Sequence, residues 1–139
     1  MNKIHYALIA FAWLWTTSCA SRAGLTAASL EKTWLLVSIG ENPVLEYSQP
    51  KITFSSNNQW YGDSSCNSFG GTYTLKRQYL SLVVERSTMK ACVEELMRQE
   101  SQVIDALSKT EKAVIAYDKL ILKDDDGDKL LIWMQQHEP

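Results

Sequence analysis

Polar and apolar residues alternate with period two through Lys51-Ile52-Thr53-Phe54-Ser55, which puts Ile52 and Phe54 on one face of a strand. Ser55 to Gln59 is a polar turn, and Trp60-Tyr61-Gly62 begins the returning strand of a hairpin. A second pair, Tyr73 to Leu75 and Tyr79 to Glu85, flanks Lys76-Arg77-Gln78, with Leu80, Leu82 and Val84 facing one way. Upstream, Trp34 to Ile39 is rich in β-formers and reads as the first strand; Gly40-Glu41-Asn42-Pro43 ends it, and a loop continues to Pro50. From Val93 the period changes. Val93, Leu96, Met97, Val103, Ile104 and Leu107 recur at three and four residues, which predicts an amphipathic helix of about four turns. Glu94 and Glu95 suit the positive end of its dipole, and Glu100 reads as a flank residue. Three dense apolar runs follow, at Ala113–Tyr117, Leu120–Leu122 and Leu130–Met134. The last two are joined across Asp126-Gly127, a pair that signals a hairpin. One helix covering one antiparallel sheet makes the expected class α+β.

The N-terminus has a different texture. Lys3, an apolar run from Ala7 to Trp15 and the small residues Thr16 to Ala20 have the three-part design of an export signal. The run of about nine residues is too short for a bilayer core of roughly 30 Å. Residues 1–18 are therefore expected to be a lipoprotein-type signal peptide, 19–30 a tether and 31–139 one domain. Cys19 follows small residues as in a bacterial lipobox, although Thr16 stands where that motif usually has leucine; ordinary cleavage after Ala20 is the competing reading. The expected location is the cell envelope: an outer-membrane lipoprotein facing the periplasm, or a soluble exported protein if Cys19 is removed. A chain of 139 residues with 14 Lys+Arg and 16 Asp+Glu is mildly acidic. Capture of nucleic acid or of an anionic membrane needs clustered basic charge, so neither is expected, and membrane contact is assigned to the lipid anchor alone.

Few residues offer chemistry. Cys66 and Cys92 form an even pair, and in an oxidising compartment such a pair in a small domain makes a bridge. Closing a loop of roughly 27 residues is worth about 3 to 4 kcal/mol on the chain-entropy model. His5 lies in the leader and His137 near the end, so histidine-assisted nucleophiles and histidine metal sites are not expected. Asp124 to Asp128 lacks EF-hand spacing and reads as a solvated hairpin tip. Asp63, Glu85 and Asp118 are candidate site carboxylates only in the sense that nothing forbids them; hydrolysis by a carboxylate pair would need two acidic groups converging in one cleft. Asn67 and Gly70-Gly71 read as a sharp turn, with asparagine bonding its own backbone and glycine supplying φ > 0. Trp34, Trp60 and Trp133 are core candidates that would line an apolar ligand or partner surface if the sheet left its mouth open.

The pattern Cys66-Asn67-x-Phe69-x-Gly71-x-Tyr73, then Leu80-Ser81-Leu82, Thr88 to Cys92, a helix and a closing Leu130–Trp133 strand, resembles the META/HslJ family. The opening Trp34 and the Ile52-Thr53-Phe54 strand are similar as well. Ser65 departs from it, standing where a glycine commonly precedes the cysteine, as does Met89 ahead of Lys90. The resemblance implies an antiparallel sheet curled into a partly open barrel and packed on one α-helix, a shape similar to lipoprotein pilotins. It also implies a role in heat response, antibiotic tolerance or virulence, and it brings no catalytic residues and no cofactor. The expected function is non-enzymatic binding of an envelope protein or an apolar small molecule. The alternative is a periplasmic enzyme inhibitor or stress chaperone that acts through the Gly40–Pro50 loop.

Overall fold

The computed structural model of the protein describes residues 24–137. The expected signal peptide and the Cys19 lipidation site lie outside them. Nine strands are present among these residues: β1 (Thr33–Ile39), β2 (Asn42–Pro43), β3 (Lys51–Phe54), β4 (Gln59–Asp63), β5 (Ser68–Lys76), β6 (Tyr79–Ser87), β7 (Lys112–Ala116), β8 (Lys119–Lys123) and β9 (Lys129–Gln135). They form one antiparallel sheet in the order β2-β1-β3-β4-β5-β6-β7-β8-β9. Because β1 also pairs with β9, from Trp34↔Gln135 to Ile39↔Leu131, the sheet curls into a ring. It is not a regular barrel. β6 and β7 share one residue pair, Tyr79↔Lys112, and the chain between them forms α2 (Glu94–Ser108), which packs against β6, β9 and β1. This is the partly open sheet on one helix that the resemblance implies, with a second, four-residue helix α1 (Ala27–Leu30) added.

Period two decides what faces inward. Trp34 and Leu36, Ile52 and Phe54, Leu80 and Leu82, Leu120 and Leu122, and Leu131 and Trp133 all point into a single core. Irregularities at Leu36/Ser38 and Gly70/Gly71 bend their strands and help the sheet to curl. The interior is full. Trp34, Trp60 and Trp133 are each 0% exposed, so the apolar surface expected of them does not exist, because all three stand at inward positions of the alternation. The indole N–H of Trp34 donates to Leu30 O and that of Trp60 to Thr72 O, both at 3.0 Å. Trp133 Nε1 is a buried side-chain donor without a partner among the described residues. Tyr73, edge-on to Phe54, donates its hydroxyl to Ser55 O at 3.1 Å.

Three further expectations need correcting. The stretch expected to be a tether ends earlier: Thr26 and Ser29 cap α1 reciprocally, and Leu30 is wholly buried. Gly70-Gly71 is not a turn but a bulge inside β5, and neither glycine has φ > 0. A Cβ on Gly71 would stand 1.8 Å from Val83 O, so glycine is required here by close approach of β6 rather than by backbone angle. On α2, finally, Val93 and Met97 stay exposed, while Gln99, Val103, Ala106 and Leu107 are buried. Gln99 takes a core position because its side chain accepts from Leu45 N–H and donates to Ser48 Oγ, each at 2.8 Å, which also pins the Gly40–Pro50 loop. The Asp-Gly hairpin is present, with Gly127 at φ +94 and Asp124 Oδ1 accepting from the Gly127 and Asp128 N–H groups.

The Gly71 geometry makes a direct prediction. Gly71→Ala must force β5 and β6 apart, and should lower unfolding stability by at least about 3 kcal/mol in urea titrations. Gly127→Ala, whose Cβ meets open space, should cost only about 1 kcal/mol through its backbone angle.

Candidate functional site

The segment from Asp63 to Cys92 builds one wall of the molecule around a single side chain. Asn67, 3% exposed, sits just before β5. Its Oδ1 accepts from Lys90 N–H at 2.7 Å and from the Thr88 hydroxyl at 2.8 Å. Its Nδ2 donates to Glu100 Oε1 at 2.9 Å and to Lys90 O at 3.3 Å. The Asn67 N–H reaches Ser64 Oγ and Glu100 Oε2, and the Ser64 hydroxyl also donates to that carboxylate. Asn67 is thus not a turn residue bonding its own backbone. It ties the start of β5 to the segment after β6 and to α2, filling the whole capacity of a carboxamide. The Cys66–Cys92 disulfide lies beside it, spanning a sequence separation of 26. Thr88 is thereby held in place, with its Oγ1 also accepting from Ser68 N–H at 3.1 Å.

Thr88 forms part of the rim of a cavity of about 420 Å³ on the outer face of β3–β6. Its floor follows from register: Thr53, Tyr61, Gly70 and Arg86 pair in one cross-strand row. Gly70 is buried, with the neighbouring backbone and the Arg86 side chain close over it: a Cβ there would stand 2.8 Å from Trp60 O and 3.5 Å from Arg86 Nε. In the neighbouring row, Lys51 pairs with Asp63 and Asp63 with Ser68. The Asp63 carboxylate is occupied, accepting from Ser65 N–H at 2.8 Å and, more weakly, from Ser68 Oγ. Ion pairs among the described residues join Arg98 to Glu94, Lys109 to Asp105 and Lys112 to Asp125; none reaches Lys51 or Arg86. The site therefore offers two cations, an exposed aromatic ring and several hydroxyls. Away from it, burial and, to a lesser degree, the Glu31 carboxylate raise the Tyr73 phenol above its ordinary value of 10.0.

The family-motif residues divide between core and rim. Phe69 packs edge-on to Trp60 beneath the cavity, Gly71 admits β6, Tyr73 lies inside, and Asn67 and Thr88 set the rim. Of the three candidate carboxylates, only Asp63 borders the cavity; Glu85 accepts from Thr72 Oγ1. Tyr61, Lys51 and Arg86 are site residues that sequence reasoning missed; an exposed aromatic beside an in-strand glycine was their signal. Glu100 is half-buried at the flank of the α2 stripe, as expected, and from there its carboxylate meets Ser64 and Asn67.

The curled sheet, its helix and the Cys66–Tyr73 element define a class: the META domain family model matches residues 26–137, and the chain belongs to that family. Solved structures show the same fold at low identity. A protein from Burkholderia xenovorans solved by NMR is similar with a TM-score of 0.64 and 19% identity, over 99% of this chain and 100% of that one. Another NMR structure matches with a TM-score of 0.61 and 21% identity, over 80% of this chain and 95% of that one. A DUF4847 family protein from Bacteroides vulgatus has a TM-score of 0.59 at 12% identity, over 79% and 96% of the two chains. No curated protein matches the sequence.

The departure at Ser65 now has a physical meaning. Ser65 has φ +71, the left-handed region that glycine enters freely, while its Oγ accepts from Gln49 N–H at 2.7 Å. Ser65→Gly removes strain and a hydrogen bond together, whereas Ser65→Ala keeps the strain and loses the bond. The glycine variant should therefore be the more stable of the two by about 1 to 2 kcal/mol in chemical denaturation. Asn67→Asp replaces the donor facing Glu100 with a second carboxylate, and should cost about 3 kcal/mol at neutral pH.

Proposed function

We propose that this protein is a non-enzymatic binding domain of the cell envelope, exported by its leader and anchored through Cys19, that recognises an envelope component at the outer-face cavity of β3–β6. The observation that carries this reading is the contrast between a filled interior and an open exterior. Three fully buried indoles occupy the space that an enclosed apolar ligand would need, whereas Tyr61, Lys51 and Arg86 border the cavity outside the sheet. The chemistry of the rim supports binding over catalysis. Its hydroxyls have no imidazole or thiol beside them, and the Asp63 carboxylate is engaged by Ser65 and Ser68. Stress or antibiotic tolerance is the physiological setting that the family membership suggests.

A second reading, inhibition of an envelope enzyme, has its own support. The Gly40–Pro50 loop is pinned to α2 through Gln99 but presents Tyr47 with 63% of its surface exposed, as a pre-organised blocking loop would.

A photo-crosslinking residue at Thr53 in living cells should trap a discrete adduct, and one at Val114, on β7 away from the cavity, should not. Arg86→Glu should abolish the Thr53 adduct. Equal labelling from both positions, or from neither, would remove the outer-face site, and an adduct formed only from Tyr47 would favour the inhibitor. Labelled palmitate should enter the wild-type chain and be lost in Cys19→Ala; wild-type protein without label has no anchor at this residue.

A further inference from the structure

Across the ring from the cavity, the outer wall of β7, β8, β9 and β1 breaks the rule that the rest of the sheet obeys. Its inward positions hold core residues such as Ala113, Leu120, Leu122, Leu131 and Trp133. Alternation then calls for polar residues outside. Apolar ones stand there instead. Val114 pairs with Ile121 and Ile121 with Ile132; in the next row Met134 pairs with Leu35, and Val37 lies between the Leu36↔Trp133 and Ser38↔Ile132 pairs. None of these six side chains belongs to the core or to the partly buried apolar residues packed against it, and Val37, Val114 and Met134 are exposed. A contiguous apolar patch on the solvent side of a sheet marks a docking surface.

Charge narrows what covers it. Lysines flank the patch on both sides: Lys112, Lys123 and Lys129 pair in one row, and on the other side Lys119 pairs with Met134 and Lys51 with Leu35. Asp125 holds Lys112, while the others join no ion pair among the described residues. The acids of these hairpins, Asp118 and the Asp124–Asp128 group, stand in the turns beyond the strands. A second copy laid face to face would therefore set lysines against lysines. An anionic lipid surface suits both features, since lysine stems lie along apolar surface while their ammonium groups reach the headgroups. Tyr117 adds an aromatic of the kind enriched at bilayer interfaces. It is fully exposed at the tip of the β7–β8 hairpin, at φ +58, where a two-residue turn favours glycine or asparagine. No basic run marks this surface in the sequence, because its lysines meet only through strand pairing.

Reach is an independent constraint. Five residue steps separate Cys19 from Gly24, where the described residues begin, and span at most about 18 Å. A domain of this size is roughly 34 Å across, so a chain anchored at Cys19 is held against its bilayer. α1 leads within a few residues into β1, one of the strands of the patch.

We infer that the outer wall of β7, β8, β9 and β1 rests on an anionic lipid surface, with Tyr117 among the headgroups and the β3–β6 cavity turned away from the membrane. This rests on the Cys19 anchor proposed above and extends membrane contact beyond it. The lipidated full chain, purified from cells and placed in vesicles of phosphatidylethanolamine and phosphatidylglycerol, tests it with an NBD fluorophore on Val114→Cys, Tyr117→Cys or, across the ring, Tyr61→Cys. Nitroxide-bearing lipids should quench the Val114 and Tyr117 labels several-fold more strongly than the Tyr61 label. Val114→Glu or Met134→Glu, each combined with the Tyr117 label, should lower quenching to the Tyr61 level while the anchor keeps the protein on the vesicles. Unchanged thermal melting separates lost docking from lost folding. Equal quenching at all three positions, or none at Val114, overturns the docking face and leaves the anchor standing. Val114 labels that quench one another without quenching by lipid give the face to a second copy and overturn it as well. Wild-type chain that takes up no palmitate removes the anchor and this inference together.

Discussion

The hydrogen bonds of one carboxamide set the geometry on which this molecule depends. Asn67 holds the beginning of β5, the segment after β6 and the middle of α2 in a fixed relation, and its partner Glu100 answers with both carboxylate oxygens. The neighbouring disulfide joins two of the same three pieces but does a different job. A covalent bridge acts chiefly by restricting the unfolded chain, on the chain-entropy view. Directional hydrogen bonds instead select a single packed arrangement, because any displacement strands a buried donor or acceptor. Asn67 accepts a hydrogen bond from the Thr88 hydroxyl at the cavity rim, beside the bonds that Thr88 makes to Ser68, so the motif that marks the family touches the outer face indirectly.

A filled core and an outward-looking face are linked by the same arithmetic of alternation. Each strand that sends Ile52, Trp60 or Phe69 inward must send its neighbours outward, and the outward set across β3 to β6 is Thr53, Tyr61, Gly70 and Arg86. Packing three indoles in the interior demands small residues where strands approach, and both glycines of the β5 bulge answer this. Gly71 accommodates the close approach of β6, and Gly70 that of β4 at Trp60 O. The site is in that sense a by-product of closing the ring around large side chains.

Much of this was legible from local pattern. Strand pairs such as Ile52/Phe54 and Leu80/Leu82, the helix after Val93 and the Asp126-Gly127 hairpin all rest on spacings a few residues long, and each stands where the period put it. What the pattern could not carry was register between distant strands. Asn67 looked like a turn residue because its real partners, Lys90 and Glu100, lie far along the chain. Gln99 is polar yet buried because its carboxamide is satisfied by Leu45 and Ser48, partners that helical spacing does not reveal. The outer-face cavity is hidden from such spacing for the same reason: Tyr61 and Arg86 become neighbours only through two separate strand pairings, by way of Gly70. Leu30, beyond the first strand signal, gave no hint that it would be buried.

The pairing of the first long strand with the last carries a consequence for biogenesis. Trp34 meets Gln135 across β1 and β9, so the ring has no closed intermediate built from an N-terminal fragment. Whether the chain emerges from a ribosome or from a translocation pore, closure must wait until nearly every residue has been delivered, and such distant contacts form slowly. Until then β1 lacks its final partner, and the edge that β9 will cover stays unpaired.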